Sequence, residues 1–377
     1  MFTRSYELFR LFGFSVKVDP SWLVIAALVT WSLAAPGGLF PHRFPGLTAG
    51  VYWTMGAFGA LGLFASIVLH ELSHSLVARL FDIRMQGITL FIFGGVAEME
   101  DEPPGPRAEF WMAIVGPVAS VLIGAACFGL YLLGSRQNWP MPLNGVLWYL
   151  GVINGILAAF NMVPAFPLDG GRVLRSALWA ARGSLRWATK ITAALGSAFG
   201  LFLILVGILA VFGGNFLGGM WYFLIGMFLR GAANMSYQQV LVRRALEGEP
   251  VQRFMVSEVV TVPPEISLER LVDDYVYRYH HKLFPVAEEG GLRGCVTTRE
   301  IKLVPREEWR STTVRDVMAP CTDDNTIHPD ADAIQAFARM NRTDASRLIV
   351  AENGRLRGII SLKDLMRFLS LKIELEE

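Results

Sequence analysis

Residues 56–74 read GAFGALGLFASIVLHELSH, so two histidines and a glutamate close a long apolar run. Ionisable side chains at membrane depth are costly and usually mark a functional site. On a helix, His70 and His74 lie on one face, where their imidazoles can bind a single metal ion, and Glu71 lies beside that ion. The alternative is two histidines packed against other helices, but three ionisable groups within one apolar run favour a metal site.

The composition divides the chain into a membrane half and a soluble half. Of 377 residues, 53% are hydrophobic and 18% are charged, and the mean hydropathy is +0.41, which is too apolar for an ordinary soluble protein. The long apolar runs end at about residue 240. Three cysteines lie far apart with no CxxC pair, which indicates neither a disulfide framework nor a cysteine zinc site. The net charge of +1 argues neither for nor against nucleic acid, and we expect none as a partner.

Six apolar stretches reach or approach the roughly 20 residues that a membrane-spanning helix needs. They cover residues 21–40, 52–80, 109–133, 146–163, 189–212 and 216–237. Arginine and lysine concentrate before the first stretch, in alternate loops and after the last stretch. By the positive-inside rule both termini are therefore cytoplasmic, which an even number of spans requires. The sequence predicts a multi-pass protein of the cell membrane, in contact with lipid.

An internal repeat occupies the C-terminal part. GLRGCVTTREI (291–301) parallels RLRGIISLKDL (355–365), and Gly294 matches Gly358 across an offset of 64 residues. Each copy has the pattern of a short strand, an amphipathic helix, two strands around a turn and a closing helix. We therefore expect an all-α membrane domain over residues 1–245, followed by an α+β pair over 246–308 and 309–377.

A catalytic zinc site needs a third protein ligand and one open position. The best candidate is Asp169 in FNMVPAFPLDGGRVLR (160–175), where Pro164 and Pro167 break the helix and leave backbone that must line a cavity or be covered by protein. Taken alone, this segment could equally be a helix-stop loop with Asp169 capping the next helix. The predicted depth in the membrane favours the role of Asp169 as a metal ligand. Asp169 and His74 each lie a few residues from an arginine at the cytoplasmic end of a span.

Together, HExxH in one span and an LDG segment two spans later are a specific pair, and the chain resembles the site-2 protease family of intramembrane zinc metalloproteases, in the branch with a C-terminal pair of CBS domains. The resemblance covers nearly the whole chain. It implies a Zn²⁺ cofactor with His70, His74 and Asp169 as ligands, and Glu71 as the catalytic base. It also implies that Asn161 is a polar residue near the site that assists the oxyanion or the substrate.

The segment directly after the metal helix, residues 85–99, reads MQGITLFIFGGVAEM. It has an alternating pattern of side chains and contains Gly94-Gly95. A short membrane-associated β-hairpin here could pair with an unwound substrate by strand addition, as the resemblance also suggests. A plain connecting loop is the alternative. GPVAS (116–120) indicates a kinked third span, for which close helix packing is the default explanation.

The CBS resemblance implies clefts for adenosine-containing ligands, contacted by a Ser/Thr-x-x-Asp at the start of the last helix. Ser361 and Asp364 match this pattern in the second repeat, whereas Thr297 and Glu300 carry a glutamate at the acidic position. Both pairs could instead be N-caps with a first-turn acid. An adenine nucleotide is therefore one predicted ligand, and a homodimer through the CBS domains is one predicted assembly.

The leading hypothesis is an enzyme, a zinc endopeptidase that cleaves transmembrane segments of membrane-anchored proteins in regulated intramembrane proteolysis. The CBS pair would sense nucleotide or control access to the site. Two alternatives are a CBS-regulated ion or metal transporter and an inactive zinc-binding scaffold. A transporter explains the domain pairing but not Glu71 between the histidines.

Overall fold

The computed structural model of the chain describes residues 5–83, 85–92, 94–99, 103–288 and 290–376. It divides into two compact units, Met1–Gln238 and Gln239–Glu377. The first unit holds the long apolar helices, and the second holds the repeat found in the sequence.

The described part of the first unit contains eight helices, the last of which ends at Leu246, a few residues into the second unit. They are α1 (Ser21–Ala34), α2 (Leu39–Arg43), α3 (Ala49–Leu80), α4 (Pro106–Arg136), α5 (Met141–Asn161), α6 (Asp169–Arg182), α7 (Leu185–Phe212) and α8 (Phe216–Leu246). Five helical stretches are long and apolar enough to cross a membrane: Ser21–Arg43, Ala49–Leu80, Pro106–Arg136, Met141–Asn161 and Leu185–Phe212. The chain is therefore a membrane protein, as predicted.

The count of six spans is confirmed only in part. The first predicted span is broken at Ala35, whose backbone is extended, and continues as the short helix α2. The sixth predicted span, 216–237, forms the first two thirds of α8, but α8 is not among the five stretches that satisfy both length and hydropathy. A sixth crossing therefore stays a prediction.

A four-stranded sheet lies in the first unit, with strand order β1-β2-β3-β4. The strands are β1 (Tyr6–Leu11), β2 (Phe14–Val18), β3 (Met85–Phe91) and β4 (Gly94–Met99). β3 and β4 pair antiparallel, with Met85 opposite Met99 and Phe91 opposite Gly94, and β2 pairs parallel with β3. β1 and β2 were not predicted from the sequence, although Phe14, Val16 and Val18 are buried in the period of two that marks a half-buried strand.

The sheet packs on α3, the helix that carries the HELSH motif. Val16, Val18 and Leu90 contact Val68 in one apolar cluster. A second cluster joins Phe14 and Ile88 to Leu72. Because Val68 and Leu72 are one helical turn apart, the sheet covers one face of α3 directly beside the histidines.

Glycines bring α7 and α8 into close contact. A Cβ atom added at Gly200 would lie 2.7 Å from the Gly226 carbonyl oxygen, and one at Gly207 would lie 2.6 Å from the Gly219 carbonyl oxygen. Small residues at such positions let helix backbones approach in a membrane, where apolar side chains gain little by leaving lipid. The two helices therefore form an antiparallel pair whose backbones meet at these glycines.

The second unit contains the two predicted α+β repeats. The first repeat and the segment after it hold α9 (Leu268–Arg270), a π-helical turn (Leu271–Val276), α10 (Tyr277–Tyr279), β5 (Leu283–Glu288), β6 (Gly291–Thr297), α11 (Thr298–Leu303), α12 (Val314–Val317) and β7 (Ala319–Pro320). The second holds β8 (Thr326–Ile327), α13 (Ala333–Thr343), β9 (Arg347–Glu352), β10 (Arg355–Ser361) and α14 (Leu362–Glu376). The sheets have orders β5-β6-β7 and β10-β9-β8.

The repeated glycines have the same structural role in both copies. A Cβ at Gly294 would lie 2.4 Å from the Ala319 carbonyl oxygen, and one at Gly358 would lie 2.7 Å from the Val256 carbonyl oxygen. Each glycine thus lets another segment of backbone pack directly on the last strand of a hairpin. This explains in physical terms why the repeat retains glycine at this position.

We expect Gly200→Ala to lower the thermal unfolding midpoint of the purified protein in detergent. The added methyl would meet the backbone of α8 at 2.7 Å, and overpacking of this kind costs about 1–3 kcal/mol. Gly231→Ala is the matched control, because a Cβ there meets nothing within 4 Å. Tryptophan fluorescence monitors the unfolding. Equal midpoints for the two variants would contradict the close packing of α7 on α8.

Candidate metal centre

Helix α3 brings the two histidines of the motif together. The Nε2 atoms of His70 and His74 lie 3.2 Å apart, and their rings meet edge to face with centroids 4.8 Å apart. Both side chains are buried. One helical turn separates the two residues, so the spacing in the sequence produces this pairing directly.

Asp169, the first residue of α6, completes a cluster of three ligand atoms. Its Oδ2 lies 3.0 Å from His70 Nε2, and its Oδ1 lies 3.4 Å from His74 Nε2. One ligand atom from each of the three buried residues lies within 4.8 Å of the others. The structure thus brings together two segments that are 99 residues apart in the chain.

The spacing of these atoms fits a tetrahedral metal. Ligands bound to zinc at about 2.0–2.2 Å in a tetrahedron lie about 3.3–3.6 Å from one another. The two Nε2 atoms lie 3.2 Å apart, and each lies 3.0 to 3.4 Å from one of the two Asp169 oxygens, so the cluster is within a few tenths of an ångström of that spacing. Three protein ligands also leave a fourth corner open, which distinguishes catalytic zinc sites from structural ones.

The outer ring nitrogens are held by the third long helix, α4. His74 Nδ1 lies 2.5 Å from the Met112 carbonyl oxygen, and His70 Nδ1 lies 2.8 Å from Ser120 Oγ. Because a carbonyl oxygen can only accept, His74 Nδ1 donates its hydrogen there, which leaves Nε2 as the nitrogen that can bind a metal. Metal-bound histidines are oriented by this kind of outer hydrogen bond.

Gly116 of α4 keeps the space beside the ligand nitrogens free. A Cβ at this position would lie 2.2 Å from His74 Nε2 and 2.7 Å from His70 Nε2. Helix packing was the explanation predicted for GPVAS, so the positions of Gly116 and Ser120 beside the histidines were not predicted from the sequence. Their spacing of four residues on one face of an apolar helix is the signal that could have found them.

Glu71 lies beside the cluster without joining it. It is half-buried, and a Cβ at Gly95 would approach its Cγ to 2.8 Å, so the backbone of β4 packs against it. Within the described ranges, no hydrogen bond or ion pair holds the Glu71 carboxylate, although it interacts electrostatically with His70, His74 and Asp169. The group is therefore available to accept a proton.

Asn161 is not brought into the ligand cluster. It is the half-buried last residue of α5, and its side chain has no hydrogen-bond partner among the residues that the structure describes. A different amide of α5 is buried in the bundle: Asn154 Nδ2 donates to Ser66 Oγ at 3.0 Å, one turn before His70. The role predicted for Asn161 stays a prediction.

A buried ion pair braces the two helices that flank the cluster. Arg175 Nε of α6 donates to Glu109 Oε1 of α4 at 2.6 Å, and the exposed fractions of the two side chains are only 5% and 2%. The Arg175 guanidinium also lies 4.9 Å from the centre of the Phe166 ring, in the segment that leads to Asp169. This ion pair was not predicted from the sequence, because its partners are 66 residues apart.

The four predicted nucleotide contacts form helix caps in the second unit. Thr297 N donates to Glu300 Oε2 at 2.7 Å at the start of α11. Ser361 N donates to Asp364 Oδ2 at 3.3 Å at the start of α14. The alternative of an N-cap with its first-turn acid is therefore realised at both positions, and it leaves nucleotide contact open.

Two imidazoles from one helix and a carboxylate from another, with a glutamate beside them, define the metal centre of a zinc hydrolase. Comparison with known proteins agrees with this class. Peptidase family M50 matches residues 58–140 and 135–207, and the CBS domain matches residues 251–306 and 314–371.

Relatives match along most of the chain. Rip3 of Mycobacterium tuberculosis is 33% identical over 364 residues, covering 96% of this chain and 92% of the relative. The zinc metalloprotease MJ0392 of Methanocaldococcus jannaschii is 33% identical over 317 residues, covering 84% and 85%. The solved site-2 protease of the same archaeon is 28% identical, covers 62% of this chain and 94% of that chain, and has a TM-score of 0.44. The chain belongs to the M50 peptidases, the site-2 protease family of zinc metalloproteases, and it carries a tandem pair of CBS domains.

We expect Gly116→Ala to lower the zinc content of the purified protein by about tenfold or more at limiting zinc, since changes around metal ligands cost that much affinity. The methyl would overlap the ligand nitrogens. Gly129→Ala in the same helix is the control, because a Cβ there meets nothing within 4 Å. Elemental analysis by mass spectrometry gives the metal per chain. Full zinc in Gly116→Ala would rule out a metal at this position.

Proposed function

We propose that this protein is an intramembrane zinc endopeptidase that cleaves transmembrane segments of membrane-anchored proteins. The observation that carries the proposal is the convergence of His70, His74 and Asp169 at metal-ligand spacing on helices of a membrane unit. We assign zinc to these three residues. When bound, zinc polarises the scissile carbonyl and makes a water molecule more acidic.

We assign the proton transfers to the Glu71 carboxylate. It accepts a proton from the attacking water as the water oxygen bonds to the carbonyl carbon. It then gives that proton to the leaving nitrogen as the C–N bond breaks. The absence of a competing partner at the Glu71 carboxylate, within the part of the chain described, supports this assignment.

We infer that the substrate binds as an extended strand along β4. β4 is an edge of its sheet, and its Gly95 packs on Glu71, so a strand added there would run past the catalytic base. A helical segment keeps its carbonyls in internal hydrogen bonds and must unwind before it can be cut. Asn161 would contact the substrate or the oxyanion from the end of α5.

We further propose six membrane crossings, with α8 supplying the sixth over residues 216–237. Both chain ends and the CBS pair would then be cytoplasmic by the distribution of basic residues. The domain boundaries that we propose are 1–245, 246–308 and 309–377. A homodimer through the CBS domains would be the assembly.

We propose that the CBS pair binds an adenine nucleotide and that Ser361 and Asp364 contact it. Asp364 Oδ2 accepts from Ser361 N at 3.3 Å and from Ser361 Oγ at 2.5 Å, and Glu300 Oε2 accepts in the same way from Thr297 N and Thr297 Oγ1. The second repeat is the stronger candidate because it carries the aspartate of the Ser/Thr-x-x-Asp pattern.

Glu71→Gln should lower the cleavage rate by roughly 10²–10⁴-fold, the usual contribution of a general base, because the amide cannot accept the proton. Its zinc content should stay unchanged, since residue 71 is not a ligand. Cleavage of a reconstituted transmembrane substrate and zinc analysis check the two parts. Wild-type cleavage by the variant would refute the assignment, and loss of zinc would make Glu71 a structural residue instead.

Asp364→Asn should weaken binding of ATP or AMP to the full chain by about tenfold, the effect of losing a charged hydrogen bond of at least about 1.5 kcal/mol. Isothermal titration calorimetry measures the change.

The matched control is Asp316→Asn. Asp316 makes the same kind of cap, accepting from Thr313 N at 2.8 Å, and hydrogen bonds from Thr313 hold the pKa of the Asp316 carboxyl below its ordinary value. Nucleotide binding that is equally sensitive to both substitutions would assign the effect to folding. Wild-type protein that binds neither nucleotide would refute the proposed ligand.

A further inference from the structure

A groove between α7 and α8 lies apart from the metal cluster. It has a volume of about 450 Å³ and is largely open to the surface. Its polar lining comes from Lys190 and Ser197 of α7 and from Arg230, Asn234 and Tyr237 of α8, and Leu201 forms part of its apolar lining.

Two cations line the groove with no acid to balance them. No aspartate or glutamate is among its lining residues. Lys190 and Arg230 are both exposed, and neither makes an ion pair or hydrogen bond with a side chain in the described part of the protein. The groove therefore has a net positive charge, and the neutral donors of Ser197, Asn234 and Tyr237 surround it.

The packing of α7 on α8 sets the depth of Arg230. Gly196 faces Ala233, and Gly200 faces Gly226 and Arg230, so the two helices run antiparallel and Lys190 lies near the level of Tyr237. Arg230 is seven residues from Tyr237, or about 10 Å further into the apolar helix pair. This depth rests on the proposed crossing of the membrane by α8, and an unpaired guanidinium there would be costly in lipid unless an anion accompanies it.

We propose that this groove binds the phosphate headgroup of an anionic phospholipid. Basic pockets between membrane helices suit such headgroups, and the fork of guanidinium donors matches phosphate oxygens. The half-exposed Leu201 beyond Arg230 gives an acyl chain an apolar surface to follow. A free phosphate ion would gain nothing from that surface, which is why the lipid is the favoured occupant.

Native mass spectrometry of the delipidated full-length protein in detergent tests the proposal with phosphatidylglycerol and phosphatidylcholine at equal concentrations. Wild-type protein should retain phosphatidylglycerol at least about fivefold more strongly, the effect expected from a single basic residue. The double variant Lys190→Gln with Arg230→Gln should lose roughly thirtyfold in affinity for phosphatidylglycerol, at about 1 kcal/mol per residue and 1.4 kcal/mol per tenfold change.

Arg107→Gln is the control, since Arg107 is an exposed basic residue at the start of α4 and does not line the groove. It should keep the wild-type preference. Retained zinc in each variant shows that the protein is folded. If the double variant loses zinc, the single variant Lys190→Gln replaces it. Its affinity for phosphatidylglycerol should fall by about fivefold.

Equal retention of the two lipids by wild-type protein would overturn the proposal, as would an unchanged preference in the folded groove variants. Displacement of phosphatidylglycerol by millimolar inorganic phosphate would identify a free-anion site instead of a lipid site. The experiment measures lipid binding and not cleavage. A negative result would therefore refute the lipid site without bearing on the proposed protease activity.

Discussion

One buried carboxylate and two buried imidazoles that converge are the constraint on which the membrane unit depends. His70, His74 and Asp169 face one another at 3.0 to 3.4 Å, and a buried carboxylate needs a positive charge or hydrogen-bond donors where water is excluded. A cation held by the three residues would supply that positive charge. The surrounding helices must nevertheless hold the ligands in place, and the Glu109–Arg175 pair joins the two helices that do so.

Helix α3 separates the sheet from the histidine cluster by its own periodicity. Val68 and Leu72 pack under the sheet, whereas His70 and His74, offset by two residues and so by about 200° around the helix, face α4 and α6. Glu71 lies on the flank between these faces, against Gly95 of β4. A single helix therefore holds the sheet, Glu71 and the two histidines in a fixed relation.

Helical spacing and hydropathy are local properties, and the predictions that rest on them agree with the structure. The HELSH pairing, five of the six predicted apolar spans and the α+β repeat all follow from residues close in sequence. Asp169 was found because prolines and depth mark its segment, although the alternative of a simple helix cap could not be dismissed from the residues alone. Asp169 in fact begins α6 and joins the cluster as well.

Contacts between distant segments were decided only by the tertiary structure. Ser120 meets His70 across 50 residues, and Glu109 meets Arg175 across 66. Neither pair has a local signature, because an isolated serine or glutamate in an apolar helix is compatible with many partners. The same holds for Gly116, whose lack of a side chain matters only once the histidines lie against it. The sequence alone determined which residues can bind the metal, and the packing of α4 and α6 on α3 determined which residues position them, since that depends on distances through space that no local pattern encodes.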